Sequence, residues 1–204
     1  TDGYARPFIC QWQAGRLEVI WPADQSYSEE FRFPWPVHNI NTGLNYTTIQ
    51  EAINANETLN GHTIFVEEGT YYEHVVVNKS LSLIGADKFN TIIDGNLTGN
   101  VVKITARNVD ITGFTIQNSG QNASYFGIVA SSRSNINISR NIITNNYHGI
   151  VLWYSFGNTV SNNTIYSNLQ WGIVVQYSNS NIVSDNTVTS NFQGGIITQH
   201  SNNN

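Results

Sequence analysis

The sequence predicts an all-β solenoid, a parallel β-helix with 22–23 residues in each coil, and three observations predict it. The first is an internal repeat. FGIVASSRSNINISRNIITNNY from residue 126, HGIVLWYSFGNTVSNNTIYSNLQ from 148 and WGIVVQYSNSNIVSDNTVTSNFQ from 171 superpose, and a fourth copy opens at Gly194. Their glycines fall at Gly127, Gly149, Gly172 and Gly195, steps of 22, 23 and 23 residues. The second is that other columns keep the same step. Ile128/Ile150/Ile173/Ile196, Ile138/Val160/Val183 and Ile143/Ile165/Val188 stay apolar, while Asn141/Asn163/Asn186 and Asn146/Asn168/Asn191 stay asparagine. The third is composition: 29 Asn, 18 Ser and 18 Thr alternate with β-branched residues, the pattern of short strands closed by polar turns. Leucine-rich repeats share the period but need a leucine consensus that is absent, and helical repeats would not tolerate this much Asn and Gly.

The elements follow in chain order. Residues 1–40 lack the repeat and are rich in aromatics (Tyr4, Phe8, Trp12, Trp21, Tyr27, Phe31, Phe33, Trp35), with a strand-like RLEVIW; they read as a cover for the solenoid or as an arm to another subunit. Residues 41–62 hold one amphipathic helix in YTTIQEAINANETL. Thr48 and Glu51 form a capping box there, and Ile49, Ala52, Ile53 and Leu59 supply its apolar side. A solenoid end has to be covered, and this helix sits where a cap belongs. Residues 63–204 are the solenoid, with early strands expected near 63–66, 74–77, 81–84, 91–93, 101–104, 109–111 and 114–116. The last coil is incomplete at Asn204.

Each repeated column has a physical reason. Ile and Val face a shared interior. Asn141, Asn163 and Asn186 read either as a ladder of stacked side-chain amides or as turn residues in the left-handed conformation that Asn tolerates. In the strand after each glycine, Ile150 and Leu152 should point inward and Val151 outward. Val129, Val151, Val174 and Ile197 then form an apolar stripe on the outer face, and such a face calls for a cover.

The run YTTIQEAINANETLNGHTIFVEEGTYYEHVVVNKSLSLIGADKFNTIIDG resembles the opening of right-handed parallel β-helix proteins of the pectin-lyase-like group. It is especially similar to archaeal surface and secreted proteins and to NosD-like repeat proteins, and the downstream GI-V…N-I…N repeats match that pattern. The resemblance covers about residues 45–204 and implies the right-handed fold and an extracellular or cell-surface location. It does not imply one activity, because the fold carries lyases, hydrolases, esterases, adhesins and scaffolds.

Catalysis on this fold needs acids and bases gathered on the outer face of one sheet. From Gly127 to Asn204 there is one acid, Asp185, with Arg133 and Arg140 and no lysine. The Gln and Asp motifs of pectin methylesterases, which the opening also resembles, have no counterpart. Glu67, Glu68, Glu73, Asp87, Asp94 and Asp110 read as solvated turn residues, so no catalytic residue is assigned. His38, His62, His74, His148 and His200 lack metal-ligand spacing, and the copper linked with NosD-like relatives finds no Met and no His pair. No metal and no cofactor are expected. Cys10 is the sole cysteine, which excludes an internal disulfide.

At net charge −5 with 11% charged residues, the chain is a poor partner for nucleic acid, and no run of about 18 apolar residues spans a membrane. Seven sequons stand at Asn45, Asn56, Asn78, Asn96, Asn122, Asn137 and Asn162, acceptors for N-linked sugar on an exported chain. Three readings follow. One is a non-catalytic structural protein of the cell surface that self-associates, through open solenoid ends and residues 1–40, into an oligomer or filament. Another is a carbohydrate-binding module or adhesin meeting glycans or cell-envelope components, with Trp153, Tyr154, Trp171 and Tyr177 as the platform for sugar rings. The third, a polysaccharide lyase or hydrolase, requires the fold to gather an acidic cluster from the upstream turns.

Overall fold

The computed structural model describes residues 9–13, 16–21 and 36–204, with side chains from 36 onward. Strands β1 (Ile9–Gln13) and β2 (Arg16–Trp21) pair as an antiparallel hairpin in a unit separate from Pro34–Asn204. The other aromatics named for this segment and the packing of Cys10 lie outside the described side chains.

The second unit is the solenoid. It opens with β3 (Val37–Asn39), β4 (Leu44–Tyr46) and helix α1 (Ile49–Asn54). Six coils follow, each of three strands. The first holds β5 (His62–Val66), β6 (Gly69–Tyr72) and β7 (Val75–Val77); the second β8 (Leu81–Gly85), β9 (Thr91–Asp94) and β10 (Val102–Ile104). The third holds β11 (Val109–Thr112), β12 (Thr115–Gln117) and β13 (Phe126–Ser131); the fourth β14 (Ile136–Ser139), β15 (Ile142–Thr144) and β16 (His148–Trp153). The fifth holds β17 (Thr159–Ser161), β18 (Thr164–Tyr166) and β19 (Trp171–Gln176); the sixth β20 (Ile182–Ser184), β21 (Thr187–Thr189) and β22 (Gly194–Gln199). Corresponding strands stack into three parallel sheets in unbroken coil order. We call them first, second and third in the order the chain visits them.

The register places like on like. Ile111, Ile138 and Val160 are aligned in the first sheet, Ile93, Ile116, Ile143 and Ile165 in the second, and Val102, Ile128, Ile150 and Ile173 in the third. All are buried and form one continuous core. Burying each such side chain contributes ~1.5–3 kcal/mol, which is how a chain of three-residue strands holds together.

The start of the solenoid differs from expectation. Val37–Asn39, placed by sequence in the non-repeat segment, runs antiparallel to β5, and β4 runs antiparallel to β3. These two strands extend the first sheet beyond the first coil, so its edge there is paired. Helix α1 is shorter than the apolar pattern indicates: Ile49, Ala52 and Ile53 are buried, but Leu59 lies beyond the helix and is 59% exposed. Thr48 caps Glu51 N at 3.1 Å, whereas the Glu51 carboxylate reaches back to the N–H and hydroxyl of Thr47, one residue before the capping-box position. Strand β6 was missed because only Tyr71 of GTYY is buried, too little for a period-two signal.

Two acids expected in solvent do structural work. Glu73 accepts the N–H groups of Ile49 and Gln50, both at 2.9 Å, and so caps α1 from the first coil. Asp94, 6% exposed, accepts from Gln117 Nε2, Asn118 Nδ2 and Asn96 N at 2.7–2.8 Å, joining two coils.

Candidate functional site

The repeat builds two surface features, a set of turn ladders and an aromatic groove on the third sheet. In the ladders, a residue of positive φ precedes each inward Asn or Ser. Arg140, Asn162 and Asp185 take φ of 55–57°, and the next residues, Asn141, Asn163 and Asn186, point inward with ordinary φ. The two sequence readings thus fall on neighbouring residues. Asn163 Nδ2 donates to Ile138 O at 2.8 Å and to Asn186 Oδ1 at 3.0 Å, and Asn163 Oδ1 accepts the Asn141 N–H at 3.0 Å. Asn141 and Asn163 thereby each serve three coils, with both amide groups paired.

The same device recurs at Asn146–Asn168–Asn191 behind Asn145, Ser167 and Ser190, all of positive φ. A third ladder, Asn158–Asn181–Asn204, and a serine ladder, Ser155–Ser178–Ser201, were missed in sequence. Their 23-residue spacing was the available signal, diluted by neighbouring asparagines and serines in the same turns.

The repeated glycines have a different reason. A Cβ on Gly149 would lie 2.4 Å from the Gly172 carbonyl oxygen, and one on Gly127 would lie 2.7 Å from that of Gly149. Stacked backbones approach here too closely for any side chain.

The apolar stripe lies on the outer face of the third sheet. Ile150 and Leu152 are fully buried in the core, and Val129 and Val151, on the opposite face, are 6% and 5% exposed. Val174 and Ile197 continue the stripe, half-buried. Phe126, His148 and Trp171 line one side of a shallow groove over these residues together with Ala123 of the 118–125 loop; Trp153, Gln176 and Gln199 also line it. Gln176 Nε2 donates to Gln199 Oε1 at 2.9 Å, leaving one amide oxygen and one amide nitrogen for another partner. His148 Nδ1 accepts the Trp171 N–H at 3.3 Å, and burial pushes the imidazole pKa down from its ordinary value.

The four aromatics proposed as a sugar platform separate into two groups. Trp153 and Trp171 belong to the groove. Tyr154, Tyr177 and His200 instead form a parallel stack along the turn after the third sheet, with centroids 4.9 and 4.8 Å apart and planes within 6°. Trp153 stands beside Tyr154 at 6.2 Å and so links the groups. That stack explains the position of His200. The other histidines are dispersed: His38 meets Glu67 at 3.3 Å, His62 meets Asn39, and His74 bonds Asn100 O and Thr98. Among the described residues no three His, Cys, Asp or Glu side chains converge as metal ligands.

Six sequon asparagines, Asn45, Asn56, Asn78, Asn96, Asn122 and Asn162, are exposed, while Asn137 is half-buried within β14. Among the described residues no helix is long and apolar enough to cross a membrane.

Three parallel sheets wound into stacked coils, with amide ladders at the turns, define a right-handed β-solenoid. The chain belongs to the family of the right handed beta helix region, whose model matches residues 41–204. It is 36% identical over 159 residues to a cell surface glycoprotein of Methanothermus fervidus, an alignment covering 63% of this chain and 26% of that protein. The chain therefore spans about a quarter of that relative. Among solved structures it is similar to an alginate lyase from Paenibacillus sp. (TM-score 0.54, 15% identity, 75% of this chain and 62% of that one). It is also similar to a pectin methylesterase from Yersinia enterocolitica (TM-score 0.50, 14% identity, 76% and 66%). Identities this low show the fold alone.

Proposed function

We propose that the chain is a non-catalytic structural part of a cell surface, a stiff rod that grows by adding coil upon coil, from its own polypeptide or from another copy. The cell surface glycoprotein similar to it supports the location. The growth rests on one observation, the uniform register of the coils, in which Ile128, Ile150, Ile173 and Ile196 and the ladder asparagines stack like on like at every step.

The test is light scattering and electron microscopy of the purified chain over a range of concentrations, beside the Ile196→Lys variant. Rods that lengthen with concentration, and that Ile196→Lys keeps short, are expected. A chain that stays monomeric at the highest concentration sinks the assembly. Absence of the protein from the surface fraction of its host cells sinks the location.

A further inference from the structure

We propose that Asn122 carries an N-linked glycan whose first sugars lie in the chain's own groove on the third sheet, covering the half-buried end of the apolar stripe at Val174 and Ile197. The inference rests on the extracellular reading above and on four observations.

Asn122 is exposed on the 118–125 loop, and its neighbour Ala123 lines the groove, so a sugar attached there starts at the rim. The Asn122 side chain is set in an Asx turn: Oδ1 accepts the Ser124 N–H at 3.0 Å, and its backbone carbonyl accepts the Tyr125 N–H at 3.0 Å. Asn122 Nδ2, the atom that would bear the sugar, donates to no protein acceptor among the described residues. The groove runs from Phe126 in the third coil to Gln199 in the sixth, about 14 Å at the ~4.8 Å spacing of hydrogen-bonded strands.

The lining has the chemistry of a sugar site. Trp153, 39% exposed, and Trp171 offer flat apolar faces for the C–H side of a ring, and Val151, Val174 and Ile197 supply an apolar floor. The Gln176–Gln199 pair keeps one acceptor and one donor for hydroxyl groups. A volume of about 220 Å³ is below the ~300–1,000 Å³ of a pocket that encloses its ligand, which suits rings laid flat along an open trough. A tethered glycan needs little intrinsic affinity, because its attachment keeps its local concentration high. None of the other exposed sequons belongs to a loop that lines this groove.

The experiment uses the full chain secreted by an N-glycosylating host, with glycopeptide mass spectrometry at every sequon and timed release by a peptide N-glycosidase under native conditions. Expected are occupancy of Asn122, release at Asn122 at least threefold slower than at Asn56, and recovery of the faster rate in Trp153→Ala. Gln199→Ala, on the exposed edge strand, should give a partial recovery and serves if Trp153→Ala fails to fold. Acrylamide quenching of tryptophan emission should rise about twofold on release.

Occupied sequons elsewhere with Asn122 empty would overturn the inference and leave the extracellular reading standing. No occupancy at any sequon would likewise overturn the inference, while the surface fraction of the native cells decides the extracellular reading separately. Equal release rates that ignore Trp153→Ala would show a glycan free in solvent, and low quenching before and after release would assign the cover to another part of the chain; either outcome overturns the proposal.

Discussion

The first three coils and the last three share one architecture but hold it together differently. From Arg140 to Asn204 the turns repeat a single device, a positive-φ residue followed by an inward Asn or Ser whose side chain bonds neighbouring coils. Residues 62–125 use that device once, at Asn118 and Ser119, and otherwise a separate solution at each turn. Glu73 caps α1, Lys79 Nζ donates to the carbonyls of Ala55 and Thr58 at 2.8 Å, and Asp94 clamps Gln117 and Asn118. At the turn where later coils place Asn163, the third coil places Phe114, fully buried, behind Gly113 at φ 84°. Periodic turns present the same bonding positions in every coil, whereas individual turns are each satisfied once, by side chains of their own neighbourhood.

The largest effect is expected at the glycine column. Gly149→Ala forces a Cβ against the Gly172 carbonyl inside an unyielding stack and should cost about 3 kcal/mol. For a chain of this size that lowers the melting temperature by about 6–12 °C, measured by circular dichroism. An unchanged melt would mean that the coils part freely at that point.

Next is the ladder. Asn163→Ala leaves the Asn141 N–H and the Ile138 carbonyl without their partner and should cost about 2 kcal/mol, whereas Asn78→Ala, at an exposed early turn, should stay within about 0.5 kcal/mol. Hydrogen exchange at the Asn141 amide would report the local opening. Equal costs at the two sites would abolish the distinction between periodic and individual turns.

A smaller effect is expected at the other end. Glu73→Ala removes the cap on Ile49 and Gln50 and should cost about 1 kcal/mol, with faster exchange confined to α1 and its neighbours. Exchange spreading into the sixth coil would show that the two halves unfold as one cooperative body.

The smallest effect is pH dependence at His148. Its pKa is lowered by burial, so the folded state favours the neutral ring. The contribution is complete above the unfolded value of ~6.5 and is lost as pH falls below it. Protonation also removes the Nδ1 lone pair that accepts the Trp171 N–H. A small fall in melting temperature between pH 7.5 and 5, larger than that of His148→Gln, is expected; identical profiles would remove His148 from the groove's energetics.

The sequence by itself determined the coil length, the inward columns and the apolar stripe, because each is a periodic property: Gly127, Gly149 and Gly172 can be aligned without knowing what they touch. The strands near 81–84 and 109–111 were legible for a similar reason, since LSLIG and VDIT alternate in and out. The ladder asparagines were legible as a column but not as a geometry. Which of Asn162 and Asn163 takes positive φ is decided by the coil above, whose N–H must meet the inward amide.

Only the tertiary structure decided the rest. It turned Val37–Asn39 back onto β5, buried Asp94 and gave Glu73 to a helix 24 residues away in the sequence. It also put Tyr177 in a stack with Tyr154 and brought Ala123 and Trp171 into the lining of one groove. These contacts join residues that share no period, so no column announces them. A repeat declares its interior because every coil must satisfy the same neighbours. A cap or a groove is satisfied once, by whichever side chains the winding brings within reach.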